Sequence, residues 1–351
     1  MEFLYEYGLF LVKTITFVVA IGIILALILS AGQKNKSSAE GTIEVSKLNE
    51  RYNEVKDSLK SIVYDADKLK IEAKEEKQKQ KLAKKEKKKS VASKQTTAYK
   101  KRLYVLDFDG DIKASAVESF REEITAILSL ASPQDEVMVR LESAGGMVHS
   151  YGLASSQLAR IKDKGIPLTV CVDKVAASGG YMMACVAQKI CAAPFAIVGS
   201  IGVVAQLPNF HRLLKKNDVD FEMLTAGEYK RTLTMFGENT DKGRQKFVAE
   251  LETTHELFKS FVSHQRPVVD IDKVATGEIW FGSQAKEQNL IDELITSDDY
   301  IMQQLELADI YKIEYSIKKT LAARVGLNIQ LGVENAVGNL FSKLNASRFM
   351  Q

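Results

Sequence analysis

The apolar run Leu168-Thr169-Val170-Cys171-Val172 breaks off into Val175-Ala176-Ala177-Ser178-Gly179-Gly180-Tyr181. An alternating, β-branched segment that ends in small residues predicts a strand feeding a tight turn and then a helix. A serine at such a corner is lifted out of its sheet at a helix N-terminus. Unpaired backbone N–H groups and the positive end of the helix dipole can stabilise a developing oxyanion there. Gly179 and Gly180 let a substrate carbonyl approach the backbone closely. The same corner serves equally well as the N-cap of a buried helix. What Ser178 does therefore depends on the rest of the chain.

From Leu103 onward, strand and helix patterns alternate. Strands are predicted at Leu103–Asp107, Glu136–Leu141, Pro167–Val172, Lys189–Ala192, Val198–Val204 and Phe221–Leu224. Helices are predicted at Ala114–Leu130, Val148–Lys162, Gly179–Val186 and Asp241–Gln265. That order defines an α/β fold with βαβ crossovers. The 351 residues suffice for one large domain with appendages.

The appendages differ in composition. Leu9 to Ala31 is almost uninterrupted apolar sequence, without a charge from Thr14 onward. It is long for a signal-peptide core, its N-terminal flank is not basic, and no A-x-A site follows, so residues 1–33 are expected to be a retained transmembrane anchor with 9–31 in the bilayer. Residues 34–99 read as a charged, helical to disordered spacer, with Lys84-Lys85-Glu86-Lys87-Lys88-Lys89 at the centre of a basic run. The folded domain is expected over 100–312. In the tail, 313–351, Val325, Ile329, Val333, Val337 and Phe341 form an amphipathic stripe.

Composition narrows the chemistry. The net charge of +3 favours no particular partner, and the basic run lacks the interleaved aromatics that nucleic-acid binding uses, so no nucleic acid is expected. Cys171, Cys185 and Cys191 lie in apolar segments and read as buried thiols rather than a disulfide framework. His149, His211, His255 and His264 are scattered, and neither CxxC nor HExxH spacing occurs, so no metal and no cofactor is expected.

After the strand Glu136–Leu141 comes Glu142-Ser143-Ala144-Gly145-Gly146-Met147. Two glycines at a strand-to-helix turn can form an oxyanion hole or contact a substrate strand, or they can simply make a tight turn. A serine nucleophile also needs a base. No G-x-S-x-G elbow surrounds Ser178, which leaves His149, His211 and Lys230, the last in Thr225-Ala226-Gly227-Glu228-Tyr229-Lys230-Arg231. A lysine becomes a usable base when desolvation or a nearby cation disfavours its charged form, and otherwise it is an ordinary surface residue.

The ordered set Glu142–Gly146, Ala177–Tyr181, Gly199-Ser200-Ile201-Gly202-Val203, Gly227–Lys230 and Ala275-Thr276-Gly277-Glu278-Ile279-Trp280-Phe281-Gly282-Ser283-Gln284-Ala285 resembles the signal peptide peptidase A family of serine–lysine peptidases. Leu290-Ile291-Asp292 extends the likeness, which covers about residues 100 to 300 and, through the anchor's position, the N-terminus. Ala144 stands where many relatives have Pro or Gly, and Glu278 where an Arg is frequent.

The resemblance implies a ClpP/crotonase-like fold, with Ser178 as nucleophile and Lys230 as general base. It implies an oxyanion hole from the N–H groups of Gly146 and Gly179. Gly145, Gly199, Ser200, Ile201, Gly202 and Val203 would hold an extended peptide or protein substrate. It further implies a homo-oligomer in the bacterial inner membrane with the catalytic domain on the periplasmic side. Against that placement, Lys34, Lys36 and Lys47 follow the span and no Lys or Arg precedes Lys13, a charge pattern that points the C-terminal bulk to the cytoplasm. The rival is an acyl-binding or non-catalytic scaffold protein on the same fold, which requires neither Ser178 nor Lys230.

Overall fold

A computed structural model describes residues 41–65 and 100–317 continuously, together with 8–17, 19, 22, 67–71, 74, 78 and 81. In chain order the strands are β1 (Thr42–Lys47), β2 (Arg102–Gly110), β3 (Glu136–Ser143), β4 (Leu168–Val172), β5 (Val175–Ala177), β6 (Lys189–Ala192), β7 (Ile197–Gly199), β8 (Ile279–Phe281), β9 (Glu293–Leu294) and β10 (Asp309–Ser316). The helices are α1 (Leu48–Val63), α2 (Val117–Leu130), α3 (Val148–Asp163), α4 (Gly179–Ala184), α5 (His211–Lys216), α6 (Asp241–Gln265), α7 (Ile271–Val274), α8 (Gly282–Glu287) and α9 (Ser297–Gln304).

The main sheet runs β1-β10-β2-β3-β4-β6-β9, and β5 leaves it to pair with both β3 and β7. The pairs β10/β2, β2/β3, β3/β4, β4/β6 and β6/β9 are all parallel, whereas β8 closes on β7 antiparallel. Parallel strands carry helices on both faces, so both sets of alternate residues must be apolar. In β2, Tyr104, Leu106 and Phe108 enter one core, while Leu103 and Val105 enter the other. Val137, Val139 and Leu141 of β3 join the first core and Met138 the second. On the larger side α2 contributes Val117, Phe120, Ile124 and Ile127, spaced by three and four residues on one helical face. The α/β alternation expected from the sequence is therefore present from β2 to β6.

Several boundaries differ for local reasons. The strand expected at Val198–Val204 stops at Gly199, where φ is +95°, and Ser200 follows at +51°. Two consecutive left-handed residues cannot continue an extended strand. Phe221–Leu224 is exposed and is not a strand. The second helix starts at Val117 rather than Ala114, which is itself left-handed at φ +52°. Within the stretch read as a spacer, β1 and α1 are folded onto the sheet. Residues 43–315 form one compact unit. Asn49 anchors α1 there, donating through Nδ2 to the carbonyls of Leu305 and Ala308 at 3.0 Å each and accepting from the Ile310 N–H at 2.7 Å.

No helix among the described residues is long and apolar enough to cross a membrane. Most of the anchor expected at Leu9–Ala31 lies outside those residues, as does the amphipathic stripe from Val325 to Phe341.

Arg266, only 5% exposed, caps α6 and ties it to the β6–β9 edge of the sheet. Its guanidinium donates to the Asn289 carbonyl at 2.7 Å and grips both oxygens of Asp292 at 2.9 and 3.1 Å. Asp292 in turn accepts from the Ile190 N–H of β6 at 2.7 Å. Arg266→Ala is expected to cost about 2–3 kcal/mol, since it removes charge-assisted hydrogen bonds from a buried position. A urea titration checks this through a lower midpoint at unchanged slope.

Candidate active site

Ser178 stands between β5 and α4 with φ +52° and ψ −117°, a backbone conformation costly to a residue with a Cβ. Two hydrogen bonds hold it there. Its N–H donates to the Gly199 carbonyl at 2.8 Å, and its carbonyl accepts from the Met182 N–H at 2.9 Å. The side chain makes no cap hydrogen bond to α4, so the N-cap reading of this serine does not describe it. The residue is partly exposed and opens on a groove of about 710 Å³. The α4 helix behind it is six buried residues long, so the site's donors are individual N–H groups rather than a long helix dipole.

The turn after β3 packs against this corner backbone to backbone. Gly145 has φ +89°, and a Cβ on it would lie 2.7 Å from both the Ala177 carbonyl oxygen and the Gly179 nitrogen. A Cβ on Gly146 would overlap the Ile112 carbonyl. Glycine is needed at 145 because this turn and the Ser178 corner are in backbone contact, and at 146 because the loop after β2 passes equally close. Among the described residues, neither the Gly146 N–H nor the Gly179 N–H has a hydrogen-bond acceptor. Orphan donors of this kind beside a partly exposed hydroxyl can stabilise an oxyanion.

The strap Gly199–Val203 adds Ser200, Gly202 and Val203 to the groove's lining. The Ser200 N–H donates to the Glu278 carbonyl at 2.7 Å, and a Cβ on Gly199 would lie 2.8 Å from the Trp280 ring. Glu278 thus acts through its backbone, and its carboxylate accepts from the Thr276 hydroxyl at 2.7 Å. Of the residues expected to hold substrate, Gly145, Ser200, Gly202 and Val203 line the groove, as do Gly146 and Ser178. Gly199 and Ile201 do not, nor does Gly179 of the expected oxyanion hole, and all three are buried. His255, Thr276 and Gly277 also line the groove; the sequence offered Thr276 and Gly277 only as part of a family motif and His255 only as one of four scattered histidines. The ring of His255 sits 3.2 Å from the Ile201 carbonyl through Nε2. Its spacing to the buried Phe258 and Val262 places it on the sheet-facing side of α6, a helical-period signal that was there to be read.

Lys230 lies on the turn Gly227–Lys230, its N–H donating to the Gly227 carbonyl at 3.2 Å. It is exposed and is not among the residues lining the groove. His149 and His211 do not line it either. The three cysteines are free and buried, and burial pushes the Cys185 thiol up to about 12, out of the range of a working nucleophile.

A groove, a strained serine and orphan N–H donors are features that acyl transfer can use, and comparison with known proteins gives the class as peptidase. The N-terminal model of peptidase family S49 matches residues 2–158, and the family S49 model matches residues 160–311. "Probable protease SohB" of Haemophilus influenzae is 50% identical over 344 residues, covering 97% of each chain. A protein of the same description from Buchnera aphidicola subsp. Acyrthosiphon pisum is 54% identical over 242 residues, covering 69% of this chain and 72% of that one. The chain belongs to peptidase family S49, as the five motifs suggested.

Gly179→Ala tests the close approach directly. Its methyl group would run into the Tyr151 ring, and overpacking of this kind costs about 1–3 kcal/mol. The variant is expected to lose peptide cleavage while its melting temperature falls, measured by casein hydrolysis and thermal unfolding on the same preparation.

Proposed function

We propose that the chain is a membrane-anchored serine endopeptidase working through Ser178 and Lys230. The observation that carries this reading is the Ser178 hydroxyl, free of any capping bond and open to a groove beside the N–H groups of Gly146 and Gly179. Lys230, in its neutral form, takes the hydroxyl proton as Ser178 Oγ attacks the peptide carbonyl carbon. The oxyanion is held by the two N–H donors, and Lys230 passes its proton to the leaving amine. Water, deprotonated by the again neutral Lys230 amine, then attacks the ester carbonyl, and the C–O bond to Ser178 breaks as Lys230 returns the proton to Oγ. Substrates are extended peptides held along Ser200, Gly202 and Val203, in the form of signal-peptide remnants or misfolded membrane and exported proteins. Residues 9–31 anchor the chain in the bacterial inner membrane with the catalytic domain on the periplasmic side.

Lys230 reaches a serine from a neighbouring subunit of a homo-oligomer. Support comes from the segment that carries it. Val204 is 81% exposed and Leu224 94%, and Phe210, Leu213, Phe221, Met223, Tyr229 and Phe236 are exposed as well. An apolar arm of this size is typical of a surface that another chain covers. A second copy both covers it and supplies the acyl-transfer site with a base.

Ser178→Ala and Lys230→Ala are each expected to reduce casein cleavage by at least about 10³-fold with the fold intact, and the double variant to be no worse than either. A Lys230→Ala protein with most of its activity would sink the dyad. Mixing the two single variants under conditions of subunit exchange is expected to restore part of the activity, through junctions that hold both intact residues. Silence in demonstrably mixed oligomers would place both residues in one chain. For the membrane side, protease added to spheroplasts is expected to digest the catalytic domain. Protection until permeabilisation would instead follow the charge pattern of Lys34 and Lys36.

A further inference from the structure

Beneath the groove runs a buried polar chain that the peptidase reading leaves unused. Tyr151, in the first turn of α3, is completely buried, and its hydroxyl donates to the Asp111 carbonyl at 2.7 Å. The Ser143 hydroxyl, at the end of β3, lies 2.5 Å from it. With the phenol's only proton committed to Asp111, Ser143 supplies the proton between the two oxygens. The Gly110 carbonyl, at 3.2 Å, is a more distant second acceptor for it. Ser143 Oγ then keeps a lone pair for the Gly145 N–H, which donates to it at 3.0 Å. Proton donation therefore runs one way, from Gly145 through Ser143 and Tyr151 to Asp111. Successive bonds of one polarity reinforce each other. Burial raises the phenol above its ordinary range, which keeps it a neutral donor.

This chain touches both loops that bear the orphan N–H groups. It pins the Gly145 amide inward, immediately before Gly146. Its Tyr151 ring packs against Gly179, where a Cβ would lie 2.7 Å from Cδ2. The Ser143 backbone fills the space beside Gly180, since a Cβ there would be 2.5 Å from the Ser143 carbonyl oxygen.

We infer that Tyr151 and Ser143 are positioning residues for the oxyanion hole, setting the separation of the Gly146 and Gly179 N–H groups. The inference rests on the proposed role of Ser178. Two loops from different strands must present donors to one oxygen within a few tenths of an ångström, and a side chain bonded to one loop and packed on the other does that.

Tyr151→Phe removes the hydroxyl and keeps the ring against Gly179, and Ser143→Ala removes the acceptor of the Gly145 N–H. Loss of an oxyanion donor costs about 10²–10³-fold, and a donor kept but displaced should cost less, so each variant is expected to lower kcat about tenfold with KM unchanged. A peptide aldehyde forms a hemiacetal whose oxygen occupies the oxyanion position. Its Ki should rise by the factor by which kcat/KM falls, while a non-covalent product peptide keeps its affinity. The double variant should be no worse than Ser143→Ala alone. Wild-type kcat in both folded single variants would overturn the inference. So would losses shared by aldehyde, product peptide and melting temperature alike, which mark a structural role. Ser178→Ala serves as the control. If it stays active, the reading of the site has failed. If it is dead while both hydroxyl variants are normal, only the positioning role has failed.

Discussion

The hydrogen bond from the Ser178 N–H to the Gly199 carbonyl is the joint on which the site depends. It continues the parallel pairing of β5 with β7 by one residue beyond the strand, past the register Ala177↔Gly199. A residue with a Cβ would otherwise leave the left-handed region at φ +52°, and the strain is sustained only because both sides of Ser178 are bonded. The same carbonyl belongs to the residue where β7 turns away at φ +95° into the strap that lines the groove. One hydrogen bond thus fixes the nucleophile candidate to that strap.

That joint exists because β5 branches from the main strand order, pairing with β3 on one side and β7 on the other. β4 pairs with β3 through Arg140↔Cys171, and four residues after β4 ends, the chain pairs with β3 again through Ser143↔Ala176. This second contact brings the corner after β5 against the turn after β3. Glycine at 145, 146, 179 and 180 is what allows the approach, because a Cβ at any of them would meet the opposing loop or the groups that support it. The four glycines are one packing solution shared by two loops, with Ser143 and Tyr151 filling the space below. In this respect the site is continuous with the core: Tyr151 and Tyr181 are among the largest fully buried side chains and lie on the helices that open at the two turns.

What was legible in the sequence follows from where the information sits. Strands buried on both faces, such as Glu136–Leu141 and Leu168–Val172, write their position into near-continuous apolar runs, and α2 writes its own into a 3.6-residue stripe. Ser178 and the Gly145-Gly146 turn were legible because strand-to-helix corners need small residues. The strap was legible as a motif but not as a conformation, since a β-branched reading of Val198–Val204 does not foresee two left-handed residues in its middle. Only the first turns of α1 attach, through Leu48 and Tyr52 in the second core and through Asn49 bridging to residues 256 or more positions away, and a contact that long in sequence leaves no trace in the local pattern of a charged helix. His255 is visible only as a member of the helical face it shares with Phe258 and Val262, since the four histidines have no common spacing of their own.

The segment from Val204 to Phe236 was the least legible, and for a reason that bears on mechanism. Its apolar residues have no regular spacing because much of it is neither strand nor helix, and many of them are exposed in the isolated chain. Local patterning encodes packing against a chain's own core, so a segment whose apolar residues face outward leaves no period to detect. Lys230 sits within this segment, 52 residues beyond Ser178, and its amide closes a turn on Gly227 rather than joining any strand of the sheet. A base carried on such an arm is positioned by whatever covers the arm. On the proposed mechanism, one association event then does two things, removing exposed apolar surface from water and delivering the lysine. Proteolysis would thereby be confined to the assembled oligomer.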